Sequence, residues 1–160
     1  MREQMVSAPC ERTFAVVFDV GDEVIAGLCD VAKRNRLADS RFTAIGGFSG
    51  VVLGYFEWQT KQFKKVSIDE QVEVLVLAGD ITCEGDEPRV HAHVVVGKAD
   101  GTAHGGHLIE ARVRPTLEVM LVESPVQLHR RFDPRTGLAL IDLPPIEQRA
   151  AAPTPRRRRA

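Results

Sequence analysis

The chain of 160 residues has the length of a single domain, and with 44% hydrophobic and 27% charged residues it can bury a core. The formal net charge of −1 excludes a strongly basic protein. The three cysteines are widely separated and form no C-x-x-C pair, which excludes a disulfide framework and a zinc ribbon and favours a reducing compartment.

The N-terminal segment shows no pattern of a targeting sequence. Its only apolar run, at residues 14–18, is far too short for a signal peptide or a membrane span. We therefore expect a cytoplasmic protein. Residues 1–11 are predicted to be an N-terminal extension, residues 12–143 one domain, and residues 144–160 a disordered tail rich in proline and arginine.

The first predicted elements are a strand and a helix. Residues 12–20 are rich in β-branched and aromatic side chains, which predicts a strand, and Gly21 with Asp22 offers a helix N-cap. An apolar stripe at helical spacing follows, with basic residues near its end, where the helix dipole favours cations. The stripe consists of Val24, Ile25, Leu28, Val31 and Ala32. We expect this stripe to face the core.

The rest of the domain is predicted to consist of strands. Residues 42–56 are strand-like but interrupted by four glycines, which indicates a bulge or a bend between two strands. Further strands are predicted at residues 63–68, 72–81, 89–96, 103–113, 117–122 and 138–141. Hairpin-length connections leave no room for parallel crossovers, so the fold class is α+β, with a largely antiparallel sheet and one principal helix.

Residues 72–78 are apolar almost throughout, with Glu73 as the exception. Strands that alternate usually have one solvated face, whereas continuous apolar runs are typical of strands covered on both faces. We therefore expect this strand to be covered by the core on one side and by another subunit on the other.

Four of the five histidines lie within one segment that is predicted to form two strands and a tight turn. His91 and His93 project from the same face because side chains alternate along a strand. If residues 99–101 form a three-residue loop with Gly101 in the left-handed conformation, His107 on the return strand lies opposite His93. Such a set of three imidazoles suits Zn²⁺ with an open fourth position.

Two other interpretations of this segment are open at the level of sequence. If residues 100–101 alone form a two-residue turn, the pairing shifts by one residue and every side chain of the return strand changes face. His107 then leaves the cluster, and Glu110 replaces it beside His91 and His93. In the third interpretation the hairpin faces solvent and its histidines are ordinary polar residues.

Charge is distributed unevenly along the chain. Residues 1–148 hold 16 basic and 22 acidic residues and carry a net charge of −6, whereas the remaining residues contain five arginines and no acid. Arg156, Arg157, Arg158 and Arg159 are therefore the candidate contacts to nucleic acid, and such contacts would be weak and independent of base sequence. The alternative is a solubilising tail without a partner.

An ordered combination of motifs extends through the domain. It comprises the apolar run at residues 72–81, Glu87-Pro-Arg-Val-His-Ala-His93, Asp100-Gly101 and Gly105-Gly-His-Leu108. With these residues the chain resembles the plants-and-prokaryotes-conserved (PPC) domain in its bacterial and archaeal form, over roughly residues 12–143. The resemblance implies an α+β fold assembled as a homotrimer, with a metal at the positions of the three histidines of the first interpretation.

The same resemblance implies an association with DNA. In plants the PPC domain follows an AT-hook in nuclear DNA-binding proteins, and prokaryotic members are described as DNA-binding on that analogy. The AT-hook core Arg-Gly-Arg-Pro is absent from this chain. The plant partner-contacting motif Gly-Arg-Phe-Glu-Ile-Leu corresponds to residues 70–75, which keep its glutamate but not its glycine, arginine or phenylalanine.

Two functional hypotheses of different classes follow. The first is a DNA-associated regulatory module, a homotrimer with a three-histidine zinc site. The second is a metal-dependent hydrolase or lyase that acts on a small molecule through a metal-bound water. No general base is identified for the second hypothesis, because in the first register Glu110 points to the face opposite that of His107.

Overall fold

The computed structural model describes residues 2–5, 11–37, 39–124 and 128–143. Within these ranges the strands are β1 (Arg2–Met5), β2 (Thr13–Phe18), β3 (Ser40–Glu57), β4 (Gln62–Ile68), β5 (Val72–Glu84), β6 (Glu87–Gly97), β7 (Ala103–Glu123), β8 (Arg130–Asp133) and β9 (Leu138–Ile141). Helix α1 (Val24–Asn35) lies between β2 and β3. The predicted tail at residues 144–160 lies outside the described residues.

Seven strands form one antiparallel sheet that closes on itself. Their order is β1-β2-β7-β6-β5-β3-β4, and β7 pairs with β3 as well as with β6 and β2. β3, β5, β6 and β7 are thereby joined in a closed hydrogen-bonded circuit. β8 and β9 form a separate two-stranded sheet. The predicted α+β class, with a largely antiparallel sheet and one principal helix, is confirmed.

The core lies between the sheet and α1, which packs against β6 and β7. The predicted apolar stripe of α1 faces it: the buried residues are Val24, Leu28, Val31 and Ala32, and Ile25 packs at the edge. Within the described ranges, no helix has the length and hydropathy needed to cross a membrane.

The N-cap of α1 is one residue later than predicted. Glu23 caps the helix, and its carboxylate accepts a hydrogen bond from the backbone amide of Ala26 at 2.7 Å. The carboxylate of Asp22 instead accepts from the backbone amide of Asp19 at 3.0 Å, in the turn where Gly21 has a φ of 88°. The prediction of Asp22 as the cap was wrong because this turn already engages its side chain.

Two pairs of predicted strands are in fact single long strands. The glycine-interrupted segment at residues 42–56 lies within β3, and the predicted strands at residues 103–113 and 117–122 are joined in β7. The register shifts between Ala44 and Gly46, so the predicted bulge is present but the predicted division of β3 is wrong. The strands β1 and β8 were not predicted.

The outer face of β5 and β6 carries a group of exposed apolar side chains. Leu75 and Val76 of β5 are 54% and 45% exposed, and Val95 of β6, opposite Val76, is 37% exposed. We refer to these three residues as the β5–β6 patch. The chain itself buries only the inner face of the apolar run that was predicted to be covered on both sides.

Candidate metal centre

The turn between β6 and β7 is the three-residue loop of the first interpretation. The amide of Lys98 donates to the carbonyl of Thr102 at 2.9 Å, and Gly101 has a φ of 83°, which favours glycine. The carboxylate of Asp100 accepts hydrogen bonds from the amide and the hydroxyl of Thr102, at 2.9 and 2.6 Å. These contacts fix the loop and with it the pairing of the two strands.

This register places His93 directly opposite His107. The pairing through a two-residue turn is therefore wrong, and so is the fallback site that included Glu110. Glu110 lies opposite Val52 of β3. His104 is exposed and is not part of the cluster formed by the other three histidines of the hairpin.

His91, His93 and His107 form a compact cluster on the outer face of the sheet. Each offers a ring nitrogen, and these three nitrogens lie within 4.8 Å of one another. The centroids of the rings are 5.3 Å apart for His91 and His93, 5.3 Å for His91 and His107, and 5.4 Å for His93 and His107. Strand alternation aligns the first two rings, and cross-strand pairing adds the third.

The environment of the cluster favours neutral imidazoles. Burial, together with the charges of His91 and His93, lowers the pKa of His107 to about 4. Burial and the neighbouring His91 also lower the pKa of His93. Because a metal binds the unprotonated nitrogen, His93 and His107 keep their lone pairs available at neutral pH.

Asp80 of β5 lies behind His91. One of its carboxylate oxygens is 3.4 Å from Nδ1 of His91, and the other accepts a hydrogen bond from Nη2 of Arg130 at 2.6 Å. Burial acts to raise the pKa of Asp80, but hydrogen bonds from His91 and Arg130 and their charges lower it. An ionised carboxylate at Nδ1 favours a proton on that nitrogen and a free Nε2, an arrangement common behind metal-binding histidines. Nη2 of Arg130 also lies 3.4 Å from this Nδ1.

Arg130, the first residue of β8, ties the β8–β9 hairpin to β5. Its side chain is only 9% exposed. In addition to its bond with Asp80, it donates to the hydroxyl of Thr82 at 2.7 Å and to the carbonyl of Ala139 at 3.0 Å. One guanidinium therefore joins both strands of the hairpin to the strand that supports His91.

A cleft of about 470 Å³ lies beside the histidines. Its lining residues are Phe63, Glu84, Arg89, Val90, His91, His107, Arg130, Leu138, Ala139 and Leu140. The ring of Phe63 packs on His107 with a centroid distance of 4.7 Å. Gly54, which pairs with His107, leaves room for this contact, because a Cβ at this position would lie 2.9 Å from the Phe63 ring.

The donor set fits a divalent transition metal of intermediate softness. Three imidazole nitrogens converge, on two half-buried histidines and the exposed His93, and a carboxylate contacts His91. This combination matches zinc sites that retain an open coordination position. The tail arginines, Arg156, Arg157, Arg158 and Arg159, lie outside the described residues.

The sequence pattern predicts the three histidines but not Asp80 or Arg130. A signal for Asp80 exists: a two-residue turn at Gly85, whose φ is 64°, pairs Glu84 with Glu87 and places Asp80 opposite His91. Arg130 has no such signal, because its position depends on how the β8–β9 hairpin packs against β5.

Several solved structures share this fold. A plant- and prokaryote-conserved (PPC) protein from Pyrococcus horikoshii superposes with a TM-score of 0.79 at 28% identity, covering 84% of this chain and 94% of that protein. A metal-containing protein from Archaeoglobus fulgidus gives 0.77 at 28% identity, covering 89% and 99%. A candidate DNA-binding protein from Ralstonia eutropha gives 0.77 at 27% identity, covering 82% and 91%.

Curated relatives include the bifunctional protein GlmU from two Synechococcus strains. One is 32% identical over 90 residues, which are 55% of this chain and 14% of that protein. The other is 30% identical over 117 residues, which are 72% of this chain and 17% of that protein. The chain thus spans less than a fifth of the length of these relatives.

The family comparison covers most of the domain. The sequence profile of the Plants and Prokaryotes Conserved (PCC) domain, also abbreviated PPC, matches residues 5–125. This range includes α1, strands β2–β7 and all three histidines of the cluster. The chain therefore belongs to the Plants and Prokaryotes Conserved domain family.

Proposed function

We propose that this protein is a zinc-binding, homotrimeric regulatory module of the PPC family, which holds its metal on His91, His93 and His107 and associates weakly with DNA through its arginine tail. The observation that carries the proposal is the convergence of three ring nitrogens within 4.8 Å. Zinc is favoured because imidazole is its common neutral ligand and this set of three histidines contains no thiolate or carboxylate.

Two further observations support a resident metal. The carboxylate of Asp80 lies 3.4 Å from Nδ1 of His91, where it would raise the basicity of Nε2 as a ligand. The protein from Archaeoglobus fulgidus, 28% identical to this chain, is metal-containing. When bound, the ion would supply two positive charges and an open coordination position at the surface of the sheet.

Alanine substitution of single histidines tests the metal site. His107→Ala should abolish stoichiometric zinc binding, since two imidazoles are left where about four ligands, one of them solvent, are needed. His104→Ala is the matched control and should retain about one zinc per chain, because His104 lies outside the cluster. Elemental analysis of untagged, zinc-reconstituted protein measures the zinc content of both variants. Equal zinc contents in the two variants would refute the site.

The role of Asp80 is tested by Asp80→Asn. The amide keeps the size of the side chain but removes the charge that supports His91, so we expect zinc affinity to fall about 10- to 100-fold. Asp142→Asn is a matched control, because Asp142 bonds Arg131 at 3.0 Å and is absent from the cluster. Competition with a chelator measures the affinities, and an unchanged value for Asp80→Asn would contradict the supporting role.

The proposed trimer accounts for the β5–β6 patch. Leu75, Val76 and Val95 expose neighbouring apolar side chains on the outer face of two paired strands. Apolar side chains grouped in this way are typical of subunit interfaces. The resemblance of the sequence to PPC domains implies the same assembly.

The mass in solution tests this interface. Light scattering should give three times the 17.6 kDa of one chain. Val76→Asp places a charge within the patch and should yield monomers, because an unpaired charge is costly to bury. Val20→Asp, at a residue that is 64% exposed on the loop after β2, is the control and should remain trimeric. A wild-type mass of one chain at micromolar concentration would overturn the trimer.

The proposed DNA contact resides in the tail. The candidate DNA-binding protein from Ralstonia eutropha is 27% identical to this chain, but residues 1–148 of this chain carry a net charge of −6. Favourable counterion release must therefore come mainly from Arg149 and the four arginines at residues 156–159, about five phosphate contacts per chain. Three tails on one trimer would add their contacts.

Removal of residues 150–160 tests the tail. Full-length protein should bind duplex DNA with little base preference and with an affinity that falls steeply as salt increases. The truncated protein should lose this binding while retaining zinc and its oligomeric state. Fluorescence anisotropy across a salt series measures the affinity, and sequence-selective binding by the truncated protein at physiological salt would contradict the proposal.

The cleft beside the histidines favours the metal-dependent hydrolase or lyase as a second candidate function. A site for small-molecule chemistry needs space next to the ion, and the cleft provides about 470 Å³ there. Among the described residues, Glu84 is the one carboxylate that lines it, and it is paired with Arg89 at 2.8 Å, so no residue is assigned as a general base.

A further inference from the structure

The cleft next to the histidines has walls of two kinds. His91, His107 and Arg130 contribute polar groups together with the Glu84–Arg89 ion pair, and apolar side chains form the rest. The main apolar contributors are Phe63, Val90, Leu138 and Leu140. Its volume of about 470 Å³ lies within the range of roughly 300–1,000 Å³ that is typical of sites for small organic molecules.

The cleft is held open by contacts of the β8–β9 hairpin with the main sheet. Arg130 bonds Asp80 and Thr82 of β5 at 2.6 and 2.7 Å. At the far end of the hairpin, Lys61 donates from Nζ to the carbonyl of Pro134 at 2.9 Å. Because the β8–β9 hairpin is attached at both ends, this wall of the cleft is already ordered before a ligand binds. The entropic cost of binding is therefore reduced.

Among the described residues, the carboxylates in and beside the cleft are ion-paired. Asp80 is paired with Arg130 at 2.6 Å, and Glu84 with Arg89 at 2.8 Å. Three neutral imidazoles would leave the two charges of a bound zinc ion uncompensated. With zinc bound, the histidines would therefore attract an anion, while Phe63, Val90, Leu138 and Leu140 offer apolar surface in the same cleft.

We propose that this cleft binds a small carboxylic acid with a short aliphatic tail, whose carboxylate faces the ion on the three histidines and whose tail packs against Phe63, Leu138 and Leu140. This inference rests on the metal centre of the proposed function. Nη2 of Arg130 contacts Asp80 at 2.6 Å and Nδ1 of His91 at 3.4 Å, whereas Nη1 donates only to the carbonyl of Ala139 at 3.0 Å, which leaves one N–H of Nη1 for the carboxylate.

The test uses a homologous series of fatty acids on zinc-loaded, full-length protein. Acetate, butanoate and hexanoate differ only in tail length, so apolar contact should strengthen binding by up to about fourfold per methylene. Titration calorimetry measures the affinities. In the cobalt-substituted protein, hexanoate should also change the visible absorption spectrum, since a carboxylate that reaches the ion alters its coordination.

Leu140→Asp tests the apolar wall without disturbing the core, because Leu140 is 40% exposed. This variant should keep its zinc but lose the dependence on tail length, with less than about twofold gained per methylene. Val20→Asp introduces the same charge far from the cleft and should behave like the wild type; Val20 is not among the lining residues.

The outcomes separate this inference from the metal site itself. The proposed ligand is refuted if zinc-loaded protein binds acetate and hexanoate equally, or if hexanoate does not change the cobalt spectrum. Either result leaves the proposed metal centre intact. Protein that takes up no zinc overturns both. A graded series in the wild type that is abolished by Leu140→Asp supports the proposed ligand class.

Discussion

The register between β6 and β7 is the constraint on which the site depends. A shift by one residue would exchange the two faces of β7. The loss of core burial would oppose this shift more strongly than the change of loop would. Leu108, Ala111 and Val113 of β7 are 2%, 1% and 0% exposed. Burial of one large aliphatic side chain stabilises the fold by about 1.5–3 kcal/mol. Exposing the buried face of β7 would therefore cost several times the free-energy difference between the two turn types. His107 faces outward because Leu108 faces inward.

The second determinant is a polar network that is mostly removed from water. Thr82 is fully buried and its hydroxyl accepts from Arg130, which in turn holds the carboxylate of Asp80 next to His91. A buried hydroxyl or guanidinium without partners costs about 1–3 kcal/mol or more, so these groups stabilise one another's positions. The network contacts His91 at Nδ1, which leaves Nε2 for a metal.

The features that were predicted correctly from the sequence, the histidine cluster and the helix stripe, depend on local patterns. The alternation of side chains and the loop at Gly101 together determine the histidine cluster, because all its residues lie on two adjacent strands. The helix stripe was predictable for the same reason, since its period is set within one element. The cap at Glu23 was not, because a competing turn engages Asp22. Arg130 and the cleft depend on packing between segments distant in sequence, which no periodicity encodes.

The closed circuit of strands has a consequence for how the chain folds. β6 and β7 are adjacent in sequence, as are β5 and β6, so these pairings close short loops. β2, in contrast, pairs with the far end of β7, and Arg12 bonds Glu123, 111 residues later. Pairings of such high contact order form slowly. During synthesis, β2 and α1 can therefore pack against their partner strands only after almost the whole domain has left the ribosome. The histidine hairpin, in contrast, can form from its own residues alone.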